Sequence, residues 1–421
     1  MNRQVWLTAI FLSIFLSVSS AAEPTAKQEV AKPTAGDASS EAAYAWFLFV
    51  QAVTPANGSL NFENWTEQCQ LNPAMAGCPP PSAAGAKVRT LHASALARKT
   101  TLSAPKPSDT TQPGSECNPM STSPVGGYPP PSNVTASAQF CEEVFVNPPE
   151  VAFVTSNGLQ TLNGQKAYGS TRSNAITFPW TAIEIKADWV PTSSFANPTF
   201  TCPDPTNKLY TETINGTCYA LVGLHISSKV LPNWLWATFE PASDVTNPNR
   251  CDPKLYDTCF DPWGTTSKTP YGKGQTVPQS TQLQSLMASA NLNKAFSNYY
   301  LTGVQTQFVG SAGAAVPLGS SFVEFNAGVP PGQASCITCH RYAYYDGTPV
   351  SPEDNFGGPP NGWAGVGYAC NKNQNGNCTP VVPNSTSQDF SWMLGLMPAN
   401  GTGAGKPAKP AAKPPKKAGS K

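Results

Sequence analysis

At 421 residues the chain is long enough for two ordinary domains or one large domain with an appendage. Charged residues make up only 12%, while 43 Pro and 33 Gly interrupt regular structure often, a composition that suits a loop-rich β protein better than a helical bundle. Net charge is +1, but without Arg3 and the six lysines after Asn400 the rest holds 19 basic against 25 acidic residues, which argues against nucleic-acid binding.

Residues 1–22 read as a secretory signal peptide: Arg3 precedes the apolar run Val5 to Val18, and Ser20-Ala21-Ala22 offers small residues for cleavage. The run is shorter than the ~20 residues a membrane span needs, and no other stretch could cross a bilayer. A periplasmic or secreted location follows as an expectation. Residues 23–40 read as a disordered leader. From Glu41 to Val53, Tyr44, Phe47, Leu48 and Gln51-Ala52 recur at helical spacing, and Pro55 ends the pattern. Ala56 to Phe140 is mostly irregular, apart from a basic stretch over Lys87 to Leu102 that reads as a helix carrying His92.

Glu143 to Val154, Ala175 to Val190 and Cys218 to Glu240 are rich in Val, Ile, Thr, Phe and Trp and read as strands. Ile183, Ile185 and Ala187 alternate with Glu184, Lys186 and Asp188, the period of a half-exposed strand, whereas Tyr219 to Ile226 is apolar on both faces, as a central strand would be. A helix capped by Ser280 carries Leu283, Leu286, Met287 and Ala290 on one face. Ser320 to Asn326 reads as a further strand. The expected architecture is mainly β, a β-sandwich or jelly-roll-like body with a few helices over 41–328. A small haem-attachment segment over 329–400 and a disordered Lys/Pro/Ala tail over 401–421 complete it.

The chain has twelve cysteines. Ten fall into neighbouring couples that bracket turn-rich loops: 69 with 78, 117 with 141, 202 with 218, 251 with 259, and 370 with 378. In an exported protein this suggests sequential disulfides, although spacing alone leaves the connectivity open. The other two belong to Cys336-Ile337-Thr338-Cys339-His340, the attachment pattern of c-type haem. In that chemistry both thiols form thioethers with the porphyrin, and the imidazole of His340 becomes the proximal iron ligand. A strained disulfide or a zinc site are the competing readings; zinc would need a fourth ligand, and no second Cys-x-x-Cys exists. The sixth iron position would fall to His225, with Met393 as runner-up; Met397 has similar spacing, and His92 sits among cations. His225 reads equally as a buried histidine satisfied by one hydrogen bond.

Five blocks together resemble the exported bacterial cytochrome c family: Phe178–Trp189, Leu221–Ile226, Trp234–Glu240, Ser335–His340 and Asp389–Leu394. The resemblance covers about half the chain and departs at Pro241, where the family commonly has histidine. It implies one covalent haem c with its iron, and an exported electron carrier serving a periplasmic redox partner. Two other functions stay open: haem-dependent peroxide or oxygen chemistry at an open sixth site, or a β-sandwich binding module with an accessory haem. Trp180, Trp189, Trp234 and Trp236 would supply the aromatic surface of such a module.

Overall fold

Why the polar half of the strand Ile183, Ile185, Ala187 is not solvent-exposed becomes clear from the computed structural model. It describes residues 30–71, 117–120, 122–124, 127, 129–130, 134–196, 200–244, 246–255, 259–308, 316–326, 329–345, 384–395 and 397. The signal peptide, Cys78, the Lys87–Leu102 helix with His92, Cys370, Cys378 and the basic tail all lie outside the described residues. The described residues from Ala31 onward belong to one compact unit.

The chain enters through helix α1 (Ala38–Val53), which begins where the Asp37 carboxylate accepts from Ser39 N and ends at Thr54, ahead of Pro55. The sheet is built from β1 (Thr66–Glu67), β2 (Gln139–Val146), β3 (Ile183–Pro191), β4 (Thr211–Ile214), β5 (Thr217–Ser228), β6 (Leu235–Pro241) and β7 (Tyr299–Gln305). Its order is β7-β6-β5-β3-β2-β1, with β4 pairing with β5 and Asn118–Pro119 with β2. All these pairings are antiparallel. The sheet is open, because its two ends, β7 and β1, do not pair.

The mainly β sandwich or jelly roll is thereby corrected. The fold is mixed, with comparable helical and strand content around one open sheet. Helices occupy the place a second sheet would have taken. Helix α1 lays Trp46, Phe49, Val50 and Val53 against Ile185, Ala187, Trp189, Leu224, Ile226, Ala237 and Phe239. Beside it packs α4 (Thr281–Ser289), capped by Ser280 and buried through Leu283, Leu286 and Met287. Two expected strands are also revised. Asn147 ends β2, and its side chain accepts from Glu150 N to cap α2 (Pro148–Ser156), so Val151 to Val154 are helical. At Ser320 the hydroxyl accepts from Phe322 N and Val323 N, and a helical turn over Val323–Asn326 follows.

The opposite face of the sheet is covered by α3 (Leu162–Ser170), α5 (Cys336–His340) and a C-terminal strap over residues 384–397. Tyr344–Tyr345 pairs with Thr386–Ser387, which ties the strap to the end of the α5 segment. Among the described residues no helix is long and apolar enough to cross a membrane. Disulfides close Cys117–Cys141, Cys202–Cys218 and Cys251–Cys259, three of the expected sequential couples. Cys69 is also disulfide-bonded.

Candidate functional site

The strap-covered face is apolar at its two ends and charged in the middle. Trp234, Trp236, Phe178, Ile337, Phe390 and Leu394 fill one end, and Phe140, Val190, Val222 and Phe322 the other. Between them, register places Lys186 opposite His225, Asp188 opposite Gly223, and Glu142 opposite Asp188. His225 Nε2 meets Asp188 Oδ2 at 2.6 Å, and its Nδ1 meets Thr238 Oγ1 at 3.0 Å. Gly223 makes the first contact possible, since a Cβ there would lie 2.3 Å from Asp188 Oδ2. Lys186 Nζ pairs with Glu142 Oε1 at 3.2 Å.

Burial and neighbouring charges compete to set the protonation of this array. It pushes Asp188 up to about 7, although His225 beside it favours the carboxylate. Burial also opposes charge on His225 and Lys186, but adjacent carboxylates outweigh it and raise both, Asp188 for the imidazole and Glu142 for the ammonium.

Helix α5 is hung from the edge of this face by Gln305. That amide donates to Val316 O at 2.5 Å and Ser335 Oγ at 2.9 Å, and accepts from Ile337 N at 2.9 Å. Ser335 then caps the helix, its hydroxyl accepting from Thr338 N at 3.3 Å. Cys336 and Cys339 are free thiols. Cys336 Sγ donates to Leu318 O at 3.4 Å. Burial, reinforced by Glu324, pushes the Cys336 thiol well above its ordinary value and Cys339 up to about 12. The Trp392 indole lies beside Cys339 and slightly offsets that shift.

His340 donates from Nδ1 to Phe390 O at 2.7 Å, which fixes its tautomer. Its ring packs against Trp236 with centroids 4.4 Å apart. Burial lowers its basicity to about 3, so the imidazole is neutral. Met393 and Met397 are buried in the apolar cluster under the strap. Arg341, following the helix, stands with Cζ 5.8 Å from the Phe390 ring.

The structure therefore brings Cys336, Cys339 and His340 into one helical turn. It sets His225, with both ring nitrogens bonded, on the sheet face behind that turn. Three of the four tryptophans assigned to a binding surface, Trp189, Trp234 and Trp236, are buried, and Trp180 alone is exposed. Glu150 and Glu184, under the strap, form with Asp389 of the strap itself a buried acidic cluster that sequence reading did not single out. The three come from segments far apart in the chain, so no local spacing could have signalled it.

No family model matches the chain, and no curated protein or solved structure matches it either. The resemblance to the cytochrome c family is thereby left without support. Among the described residues no group of three or more His, Cys, Asp or Glu could hold a metal ion, and six of the cysteines are committed to one another in disulfides. At the motif itself the Cys336 thiol is turned onto a carbonyl and His340 is packed on Trp236. The mono-haem electron carrier, its haem c and iron, and the two haem-dependent alternatives are corrected on these findings.

Proposed function

We propose that Cys336 and Cys339 form a reversible dithiol–disulfide pair, and that the chain is an exported thiol redox protein. The observation that carries this reading is the state of the cysteines. Cys69 and three complete couples are disulfide-bonded, whereas the two thiols of one helical turn are free. Residues i and i+3 of a helix have Cα atoms about 5 Å apart, inside the range a disulfide spans. Three disulfides elsewhere suit an oxidising compartment, as does the basic, apolar and small-residue order of the first 22 residues.

The reaction partner is an external disulfide, periplasmic or secreted. One thiol loses its proton and attacks a sulfur of that disulfide, forming a mixed disulfide and releasing one thiolate, which takes up a proton. The second cysteine, deprotonated in turn, attacks the mixed disulfide and releases the other half. The pair ends oxidised, and the external disulfide becomes two thiols. High thiol pKa values keep the reduced pair protonated and slow while the strap covers it. Thiolates that hold their protons tightly also make poor leaving groups, so the oxidised pair should resist reduction.

Equilibration of the full chain with glutathione buffers of graded ratio, followed by trapping and mass analysis, tests the reading. The expected result is one reversible loss of two hydrogens, confined to the peptide holding Cys336 and Cys339. Cys336→Ser and Cys339→Ser should each stop at the mixed disulfide. Failure of the pair to close in any buffer would overturn the assignment.

A further inference from the structure

We propose that Glu150 and Glu184 share one proton as an acid–carboxylate pair, and that this proton latches the C-terminal strap over the thiol helix. Glu150 sits in the first turn of α2 and is fully buried. Neither of its carboxyl oxygens has a donor partner. The carboxyl group that acts on it most directly is that of Glu184, at the start of β3. Two carboxylates cannot bond to each other, so a buried pair in this geometry is satisfied only when one of them carries a proton and donates it. Glu150 is the protonated member, because Glu184 already accepts from Ser391 Oγ at 2.5 Å through Oε1.

Ser391 belongs to the strap, and the contact is one of several that hold it. Asp389 Oδ1 accepts from Lys229 Nζ at 2.6 Å, and its Oδ2 accepts from Phe178 N at 2.7 Å. Gln165 of α3 donates to Leu394 O at 2.9 Å and accepts from Gln388 at 2.7 Å. Between Asp389 and Ser391 lies Phe390, whose carbonyl holds His340. The strap thus joins the acidic pair directly to the thiol helix.

Among the described residues, the charged groups facing the pair can be placed. Glu184 and Lys186 come from β3, Asp389 from the strap, Lys229 from the turn after β5, and Arg341 from the residue after α5, within electrostatic reach of Asp389. Lys229 is committed to Asp389 and Lys186 to Glu142, so neither cation neutralises Glu150. Burial, with Glu184 and then Asp389 adding to it, pushes Glu150 well above the usual carboxylate range. The sign follows. The stability held by that proton is complete below the unfolded value of Glu and is lost as pH rises through the folded one. When the proton leaves, Glu150 and Glu184 repel each other with Asp389 close by, and lifting the strap relieves that repulsion.

The latch stands without the dithiol reading; only its consequence for the thiols rests on it. Hydrogen exchange of residues 384–397 in the full chain, corrected for intrinsic rates and followed from about pH 6 to about pH 10, should lose roughly tenfold or more of its protection. Glu150→Gln keeps a donor toward Glu184 without a titrating proton, and should flatten the profile. Ser391→Ala should lower protection at every pH and leave the slope. A flat wild-type profile, or an unchanged slope in Glu150→Gln, would overturn the latch. Should that variant fail to fold, the wild type decides: the infrared stretch of a buried protonated carboxyl must be present at neutral pH, and its absence overturns the proposal. Alkylation of Cys336 and Cys339 should accelerate over the same range. Strap opening without faster alkylation would sever the latch from the thiols, whereas failed disulfide closure with an intact pH profile would sink only the redox reading.

Discussion

The two faces of the sheet are built from the same strands and held by different physics. Under α1, residues of alternating parity are apolar, and Phe49 touches Phe239, Trp46, Phe296 and Tyr299 with ring centroids between 4.4 and 5.9 Å. Under the strap, the intervening residues are Glu184, Lys186, Asp188, His225 and Thr238, each tied to a named partner. Burial area stabilises the first face without regard to pH or partner identity. The second face depends on protons and on exact pairing, so it is the one that can respond to conditions.

Phe49→Ala should break the first face hardest. It removes a fully buried ring from the centre of the cluster, and should cost about 4 kcal/mol at any pH between the extremes, read as a shift in the denaturation midpoint. A loss that varied with pH would mean that the two faces are not independent.

On the second face, Asp188→Ala should cost about 3 kcal/mol, because it leaves His225 without its carboxylate and removes a neighbour of Lys186. Here the pH profile carries the comparison. The folded-state value of His225 is raised, against burial, by Asp188, so its contribution is complete below the ordinary histidine value and lost as pH rises through the folded one. Asp188, pushed up to about 7 by burial, acts in the same direction from its ordinary carboxylate value upward. The wild type should therefore lose stability from acid toward alkaline pH, and His225→Asn should reduce that slope. An unaltered slope would detach the array from the pH dependence.

Much of the first face was legible in the sequence, and the reason is local. The alternation of Ile183, Ile185 and Ala187, the helical spacing of Tyr44, Phe47 and Leu48, and the Ser280 cap are patterns within a few residues. The same alternation misled on the second face. Glu184, Lys186 and Asp188 read as the exposed half of a strand, because their partners are remote in sequence: Ser391 of the strap bonds Glu184 from about 200 residues on, and Glu142 and His225 come from neighbouring strands. The jelly-roll expectation failed for a related reason: polar strand faces suggested solvent, and apolar ones a second sheet, where helices and an irregular strap cover both. Asn147-Pro148-Pro149 was a helix start within a strand-like run, and the cap was the stronger signal. At the thiol turn, spacing pointed to Cys336, Cys339 and His340 together, but their protonation and cover depend on Glu324, Trp236 and Phe390, which no local pattern links to them.

A smaller effect is expected where the second face meets α5. Gln305→Leu should cost about 2 kcal/mol, since Ile337 N, Ser335 Oγ and Val316 O all lose the partner that hangs the helix from the sheet. Hydrogen exchange should report the loss first at residues 335–341. The same change should speed alkylation of Cys336 and Cys339 at neutral pH, where the strap is still latched. Uniform weakening across the sheet would show that Gln305 serves the whole fold rather than the thiol turn.

The smallest effect compares two serine caps, one on each side of the sheet. Ser280 Oγ accepts from Leu283 N at 3.1 Å at the start of α4, and its replacement by Ala should cost about 1 kcal/mol, the ordinary worth of a cap. Ser335 caps α5 in the same way, but its hydroxyl also donates to Thr338 Oγ1 at 2.8 Å and receives the Gln305 amide. Ser335→Ala should therefore cost more than Ser280→Ala, because two further buried groups lose a partner. The excess should shrink in the Gln305→Leu background, where the amide is already gone and only Thr338 Oγ1 still loses a partner. Equal costs for the two caps in the wild-type chain would mean that water replaces the lost hydroxyl at Ser335. The thiol turn would then be wetter, and less dependent on exact pairing, than the rest of the face it sits on.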